Sequence, residues 1–227
     1  MGTQHPPRRR LIAISPDDGT AIDLRNPFLA AALSWLVPGL GQIYQGRTVK
    51  GGICMAALVA ALACGMWLGD GRVVYASWRP GDARYAFIGQ SGIGAVAIPA
   101  ALQARLLADR GCQPLFASAW LAPPVRPGQL VSPAYARTLA RTSPGVMLNQ
   151  PGAGQAFGQV LNDELSLWQK RLGRRFEIGT LYTVIAGLLN MLVVFDALGG
   201  PMRVATRKAE TADGPKAARP SGRPGRG

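Results

Sequence analysis

The stretch NPFLAAALSWLVPGLGQIYQGRTVKGGICMAALVAALACGMWLG, residues 26–69, decides the fold. Between Arg25 and Arg47 lie 21 residues without a formal charge, and between Lys50 and Asp70 another 19. Each run is close to the ~20 residues that a helix needs to cross a bilayer core of roughly 30 Å. In hydrocarbon only a helix, or a closed barrel, satisfies its own backbone N–H and C=O groups, so both runs are expected to be helical. The segment Gln45-Gly46-Arg47-Thr48-Val49-Lys50 places two cations and a turn glycine where the chain must reverse at the headgroups. The stretch therefore predicts a transmembrane helical hairpin turning at Gly46.

Inside the first run, Pro38, Gly39 and Gly41 are expected to kink the helix, because proline removes a backbone donor and glycine costs helix stability. Trp35 precedes the kink, and Gln42 and Tyr44 suit the interface. In the second run two rows of small residues, Ala57/Ala61/Gly65 and Gly52/Ala56/Ala60/Cys64, would let another backbone approach closely.

Working outward, two more apolar runs follow. Tyr85 to Ala104 gives 20 uncharged residues, the least apolar run because of Gln90, Gln103, Pro99 and three glycines, with a re-entrant or interfacial helix as the alternative to a full span; Ile178 to Phe195 gives 18, with Asn190 inside. The expected fold class is an all-α polytopic membrane protein with about four transmembrane helices. Its segments are an N-terminal disordered tail (1–25), the hairpin (26–69), a connector and third span (70–104), a Pro/Gly-rich loop (105–156), an amphipathic helix with the fourth span (157–202), and a basic disordered tail (203–227). The amphipathic helix rests on Phe157, Leu161, Leu165, Trp168, Leu172 and Phe176 at three- and four-residue steps. Directly before a span it would lie in the interface, with Lys170, Arg171, Arg174 and Arg175 at lipid headgroups; packing as a lid on the bundle is the competing arrangement. The four residues between Arg10 and Ser15 are too few for the apolar region of a secretory signal, so no cleaved leader is expected.

The chain carries 25 Lys and Arg against 12 Asp and Glu, a formal net charge of +13, while mean hydropathy is still positive at +0.12. Most of this charge lies outside the apolar runs, so the expected partners are the lipid bilayer, its anionic lipids, and other membrane proteins. Nucleic acid is not expected as a partner: no stretch interleaves basic residues with stacking aromatics on one face. In a four-span arrangement the basic residues divide fourteen to eleven, favouring both termini in the cytoplasm.

Pro38-Gly39-Leu40-Gly41-Gln42-Ile43-Tyr44-Gln45-Gly46, followed by Lys50-Gly51, resembles the P-G-x-G-Q-x-Y-x-G-x-x-x-K-G pattern of hairpins related to the two-transmembrane domain. The layout as a whole, with Gly179 to Asn190 in the last run, is similar to an uncharacterised multi-pass family typical of planctomycete bacteria, a domain of unknown function. The resemblance implies a hairpin fold and a bacterial inner membrane location. It implies no chemistry.

Nor do the residues themselves point to chemistry. Gly89-Gln90-Ser91-Gly92 matches the G-x-S-G of rhomboid-like intramembrane proteases, but a nucleophilic serine needs a base within reach. The single histidine, His5, and the four lysines all lie outside the runs. Asp196 stands alone at a run boundary, so no aspartyl pair forms. Cys54, Cys64 and Cys112 make neither a disulfide framework nor, with so few histidines, a metal set. No catalytic, cofactor-binding or metal-binding residue is predicted, and no cofactor. Intramembrane ionisable groups, the usual mark of ion-coupled transport, are missing from the runs. Asn190 is expected to make an interhelical polar contact. The predicted function is a non-enzymatic membrane scaffold or interaction module. The alternative is a subunit of a small transporter or channel, with Gln42 and Asn190 lining a polar pathway.

Overall fold

The computed structural model describes residues 12–14, 21–23, 26–79, 82–108, 114, 116, 120–149 and 157–199. Residues 203–227 of the expected C-terminal tail, and Cys112, lie outside them. Within residues 1–25, expected to be disordered, strand β1 (Ile12–Ile14) pairs antiparallel with β2 (Ala21–Asp23).

The protein is mostly helical, and two helices are long and apolar enough to cross a membrane: α3 (Thr48–Leu68) and α8 (Arg174–Gly199). They run antiparallel, Gly65 lying against Gly179 and Thr183 at one end and Lys50 against Asp196 at the other. The expected four spans are therefore not supported: among the described residues two helices are candidates to span. The first and third runs are each broken into a pair of short helices.

The first run gives α1 (Pro27–Leu36) and α2 (Leu40–Tyr44). Helix α1 starts at an Asn26 cap, whose side chain accepts from the Leu29 N–H, with proline at the first helical position. It stops where Val37, forced out of the helical region by the following proline, adopts φ −133° and ψ 120°. Gly39 then takes φ +80°, a left-handed conformation that costs other residues energy. These two non-helical residues, on either side of Pro38, turn the chain back instead of kinking it, so Gly41 comes to rest on Ala30 and Ser34 of α1. Both short helices lie against the C-terminal half of α8, and Gly46 (φ +87°) then hands the chain to α3. In consequence Arg47 and Lys50 sit at the same end as Asp196. Had the third run crossed completely, α8 would run parallel to α3 and Asp196 would lie at the opposite end from them.

The third run gives α4 (Ala86–Gln90) and α5 (Gly94–Ala108). Helix α4 lies on the N-terminal half of α8, with Gly89 against Val184 and Gly92 against Gly187. Helix α5 leads away from that midpoint toward Ala76 and the end of α3, where Ala101 and Ala104 join the main core. Each broken run thus covers one half of α8, and they meet where the Trp35 ring packs on Gly94. Small side chains on α8 permit this approach: its buried face is Gly179, Thr183, Ala186, Gly187, Asn190 and Ala197. On α3 the buried positions are Gly51, Leu58 and Gly65; of the two predicted small-residue rows Gly65 lies directly against α8 and Ala61 packs on the main core, while Gly52 faces open space.

Beyond α3 a short hairpin, β3 (Trp78–Arg79) and β4 (Asp82–Ala83), precedes α4. The described residues between 120 and 160 are not loop throughout. They build a cap of three antiparallel strands in the order β5 (Leu130–Val131), β7 (Gly158–Val160), β6 (Leu148–Asn149), with α6 (Pro133–Thr142) set between β5 and β6 in the chain. Leu107, Val125, Val131, Tyr135, Leu139 and Val160 form its own small core.

The predicted amphipathic helix over 157–176 is also corrected. Its first residues pair as β7, helix begins only with α7 (Glu164–Leu172), and Gly173 at φ +50° separates α7 from the start of α8. The apolar face of α7 is covered by protein: Trp168 is buried edge-on to Tyr75, ring centroids 5.9 Å apart, with Leu165 and Leu172 in the same core. This is the lid arrangement, not a helix lying free in the interface.

Candidate functional site

The buried polar residues of the bundle form a seam along α8, and its logic starts from backbone carbonyls that lack a helical donor. Pro38 has no N–H to offer the carbonyl of Ser34, four residues back. The Asn190 side-chain amide supplies that donor at 2.9 Å, across 156 residues of sequence. Its second N–H goes to the carbonyl of Gly92, freed by the break between α4 and α5, at 2.8 Å. Trp35 Nε1 donates to the neighbouring freed carbonyl, that of Ser91, at 3.0 Å. Asn190, fully buried, therefore joins both broken runs to the long helix at its centre. Its Oδ1, like Oε1 of Gln90, is a buried acceptor without a donor among the described residues.

At the outer end of the seam stands Asp196. Arg47 grips its carboxylate with two N–H groups at 2.8 and 3.3 Å, and Lys50 reaches it at 2.7 Å. Gln42 Nε2 donates to the carbonyl of Val193 at 2.7 Å and to Asp196 at 3.3 Å, while Gln42 Oε1 accepts from Ser34 Oγ. Gln45 Nε2 donates to the carbonyl of Ala197 in the last turn of α8, one of the groups a helix end leaves open.

The hairpin motif thus reads as one docking device. Pro38 and Gly39 turn the chain, Gly41 and Gly51 admit close backbone contact, Gln42 and Lys50 bind α8, half-buried Tyr44 closes α2, and Gly46 makes the exit turn. Sequence reasoning placed Gln42 at the interface and left Asp196 as a lone boundary charge. Two motif cations, with the last apolar run ending in a carboxylate, were the available signal.

Replacing Asp196 by alanine is expected to lower stability by about 3 kcal/mol, since Arg47 is largely buried and would lose its counter-charge. Lys50→Ala, at a half-exposed site, should cost less than about 1 kcal/mol. Thermal unfolding of the purified protein in detergent checks the difference.

A second polar cluster ties the cap to the bundle. Glu164, buried in the first turn of α7, accepts from Arg72 at 3.1 Å, from the Val125 N–H at 2.9 Å and from Ser143 Oγ. Arg72 also lies 4.8 Å from the Trp168 ring centroid and donates to the carbonyl of Thr142. Nearby, Arg84 donates to the Val73 carbonyl at 2.8 Å and to Thr180 Oγ1 at 3.0 Å, and its guanidinium covers the Tyr75 ring. Burial lowers its pKa from the usual guanidinium value, with Tyr75 opposing. Gln90 shares the same two kinds of partner, the Val73 carbonyl and Thr183 Oγ1.

The remaining predicted site residues are spread over the surface. Lys170, Arg171, Arg174 and Arg175 are all exposed; Arg171 pairs with Asp70 at 3.4 Å and Arg175 lies 5.8 Å from the Trp67 ring centroid. Ser91 Oγ donates to the carbonyl of Ile88 at 2.7 Å, an ordinary local bond. Cys54 and Cys64 are half-buried free thiols on α3. Among the described residues no group of three or more His, Cys, Asp or Glu could hold a metal.

These features define a helical protein with two helices of membrane-crossing length and a seam built to join helices. The chain belongs to the Family of unknown function (DUF6677), which matches residues 29–210. It matches no curated protein and no solved structure.

Proposed function

We propose that this protein is a non-enzymatic integral membrane scaffold or interaction module of a bacterial cytoplasmic membrane, in which α3 and α8 cross the bilayer and each broken run enters to half depth. The observation that carries the reading is exposure. Only 17% of the apolar stretch of α3 and 28% of that of α8 is buried, and Ile53, Ile185, Leu188, Leu192 and Phe195 point outward. A core helix of a water-soluble protein would be covered; apolar surface this extensive calls for lipid or a partner. The interior supports the scaffold role, because the donor groups of Gln42, Gln90 and Asn190 are committed to backbone, hydroxyl and carboxylate oxygens of the same chain. With Arg47 and Lys50 at the Asp196 end, the 25 basic residues divide almost evenly between the two sides, so charge counting no longer favours one orientation.

One observation favours the transporter or channel reading: the donor-less oxygens of Asn190 and Gln90, near where the half-depth helices meet. Asn190→Leu separates the two. The scaffold reading expects a folded-state loss of about 0.6 to 2 kcal/mol and weaker co-purification of membrane partners. A pathway expects lost flux in reconstituted vesicles with the fold intact. For the membrane itself, the protein is expected to stay in the pellet after alkaline carbonate extraction; release to the supernatant overturns the proposal.

A further inference from the structure

A cavity of about 340 Å³ opens beside α5, between the bundle and the cap. Its walls are apolar and built from small residues, Ala101 and Ala104 on one side and Pro123 and Pro124 on the other, while Arg105 and Arg126 line it as well. Arg105 is exposed. An apolar slot beside a pair of guanidinium groups matches a molecule with a hydrocarbon part and an anionic head.

Depth narrows the occupant. Helix α5 starts at Gly94, under the Trp35 ring and two residues from the Gly92–Gly187 contact at the middle of the 178–195 run. At about 1.5 Å of rise per residue, Ala101 and Ala104 lie about 10 and 15 Å from that midpoint, and Arg105 and Ala108 about 16 and 21 Å. The hydrocarbon of a bilayer ends at about 15 Å. With α5 running outward from that midpoint, the alanine wall falls within reach of acyl chains and the Arg105 side chain begins at about the hydrocarbon edge, where it can extend to a phosphate. Trp78, more than half exposed at 57%, sits on the rim where an interfacial aromatic belongs. On the adjoining face Ile98 and Leu102 are exposed, so the slot borders a lipid-facing surface.

We infer that this groove binds one anionic phospholipid, a chain lying along Ala101 and Ala104 and the phosphate held at Arg105. Guanidinium suits the phosphate, since its planar fork can bind two oxygens at once. The inference rests on the membrane reading above, and the experiment keeps the two apart. Purified full-length protein is placed in phosphatidylcholine nanodiscs containing a minor fraction of either diazirine-labelled phosphatidylglycerol or diazirine-labelled phosphatidylcholine, and labelled peptides are mapped by mass spectrometry.

The glycerol lipid with the anionic head is expected to label the 101–108 peptide in preference to the zwitterionic one. Arg105→Gln should lower that labelling about fivefold, the effect of one basic residue near an anionic surface, and Arg105→Lys should retain most of it. Ala104→Leu, which fills the slot without touching charge, should lower it as well. Labelling on the outward face of α8 around Leu188 and Leu192 should be the same in every variant. Equal labelling of the groove by the two lipids, or insensitivity to both Arg105→Gln and Ala104→Leu, overturns the site. If α8 is not labelled by either lipid, it is the membrane reading that fails.

Discussion

Gly187→Leu will destabilise the protein by about 3 kcal/mol or more, the upper range for overpacking. A Cβ at Gly187 would run into the carbonyl oxygen of Gly89, and one at Gly92 into the carbonyl oxygen of Gly187. Backbone faces backbone on both sides, so no side chain can rotate away to make room. The halves of the third run would have to separate from α8, and the Asn190 bond to Gly92 would go with them. Gly52→Ala is the matched control. Nothing lies within 4 Å of the added methyl, and alanine in a helix is favoured over glycine by roughly 0.5 to 1 kcal/mol. Thermal unfolding in detergent should therefore move down for the first variant and slightly up for the second. A Gly187→Leu protein that unfolds with the parent would show that the α4–α8 contact is not as close as described.

The second large effect is expected at Glu164. Its side chain is 3% exposed and Arg72 is 15% exposed, so Glu164→Ala leaves a mostly buried guanidinium without its counter-charge. It also strips the acceptor from the Val125 N–H and Ser143 Oγ. Breaking such a pair typically costs about 3 to 5 kcal/mol. Because these partners lie in the connector and cap, the loss should be local. Hydrogen exchange is expected to rise across residues 120–164, while the centre of α3 and of α8 stays protected. Replacing the pair together, Arg72→Met with Glu164→Leu, should recover much of the stability, since no unpaired charge then remains. Uniform exchange over the whole chain would contradict a cap that opens by itself.

Much of this architecture was legible in the chain because it depends on local composition. The runs ending at Asp70 and Asp196 became α3 and α8, and the turn at Gly46 is where the motif put it. The stops of α1 could be read as well, because Pro38 acts on its immediate neighbour Val37. What composition did not reveal was the consequence of those breaks. Proline, glycine and a scatter of amides are equally compatible with a kinked span and with a run that folds back, and the choice turns on what satisfies the freed carbonyls. For Ser34 and Gly92 the answer is Asn190, 156 and 98 residues away. The cap escaped for a related reason. Its strands are two or three residues long, too short to show alternation, and exist because β7 finds both β5 and β6.

By itself, then, the order of residues determined which segments are apolar enough to be helical and where the chain must turn, since both follow from interactions within a few neighbours. The tertiary structure alone decided that two runs break into pairs of helices packed on α8 and that Asp196 is held by Arg47 and Lys50. It also decided that the apolar face of α7 packs on Tyr75. Each of these depends on a donor, a counter-charge or an apolar surface brought from a distant part of the chain, and no local periodicity records which partner will arrive.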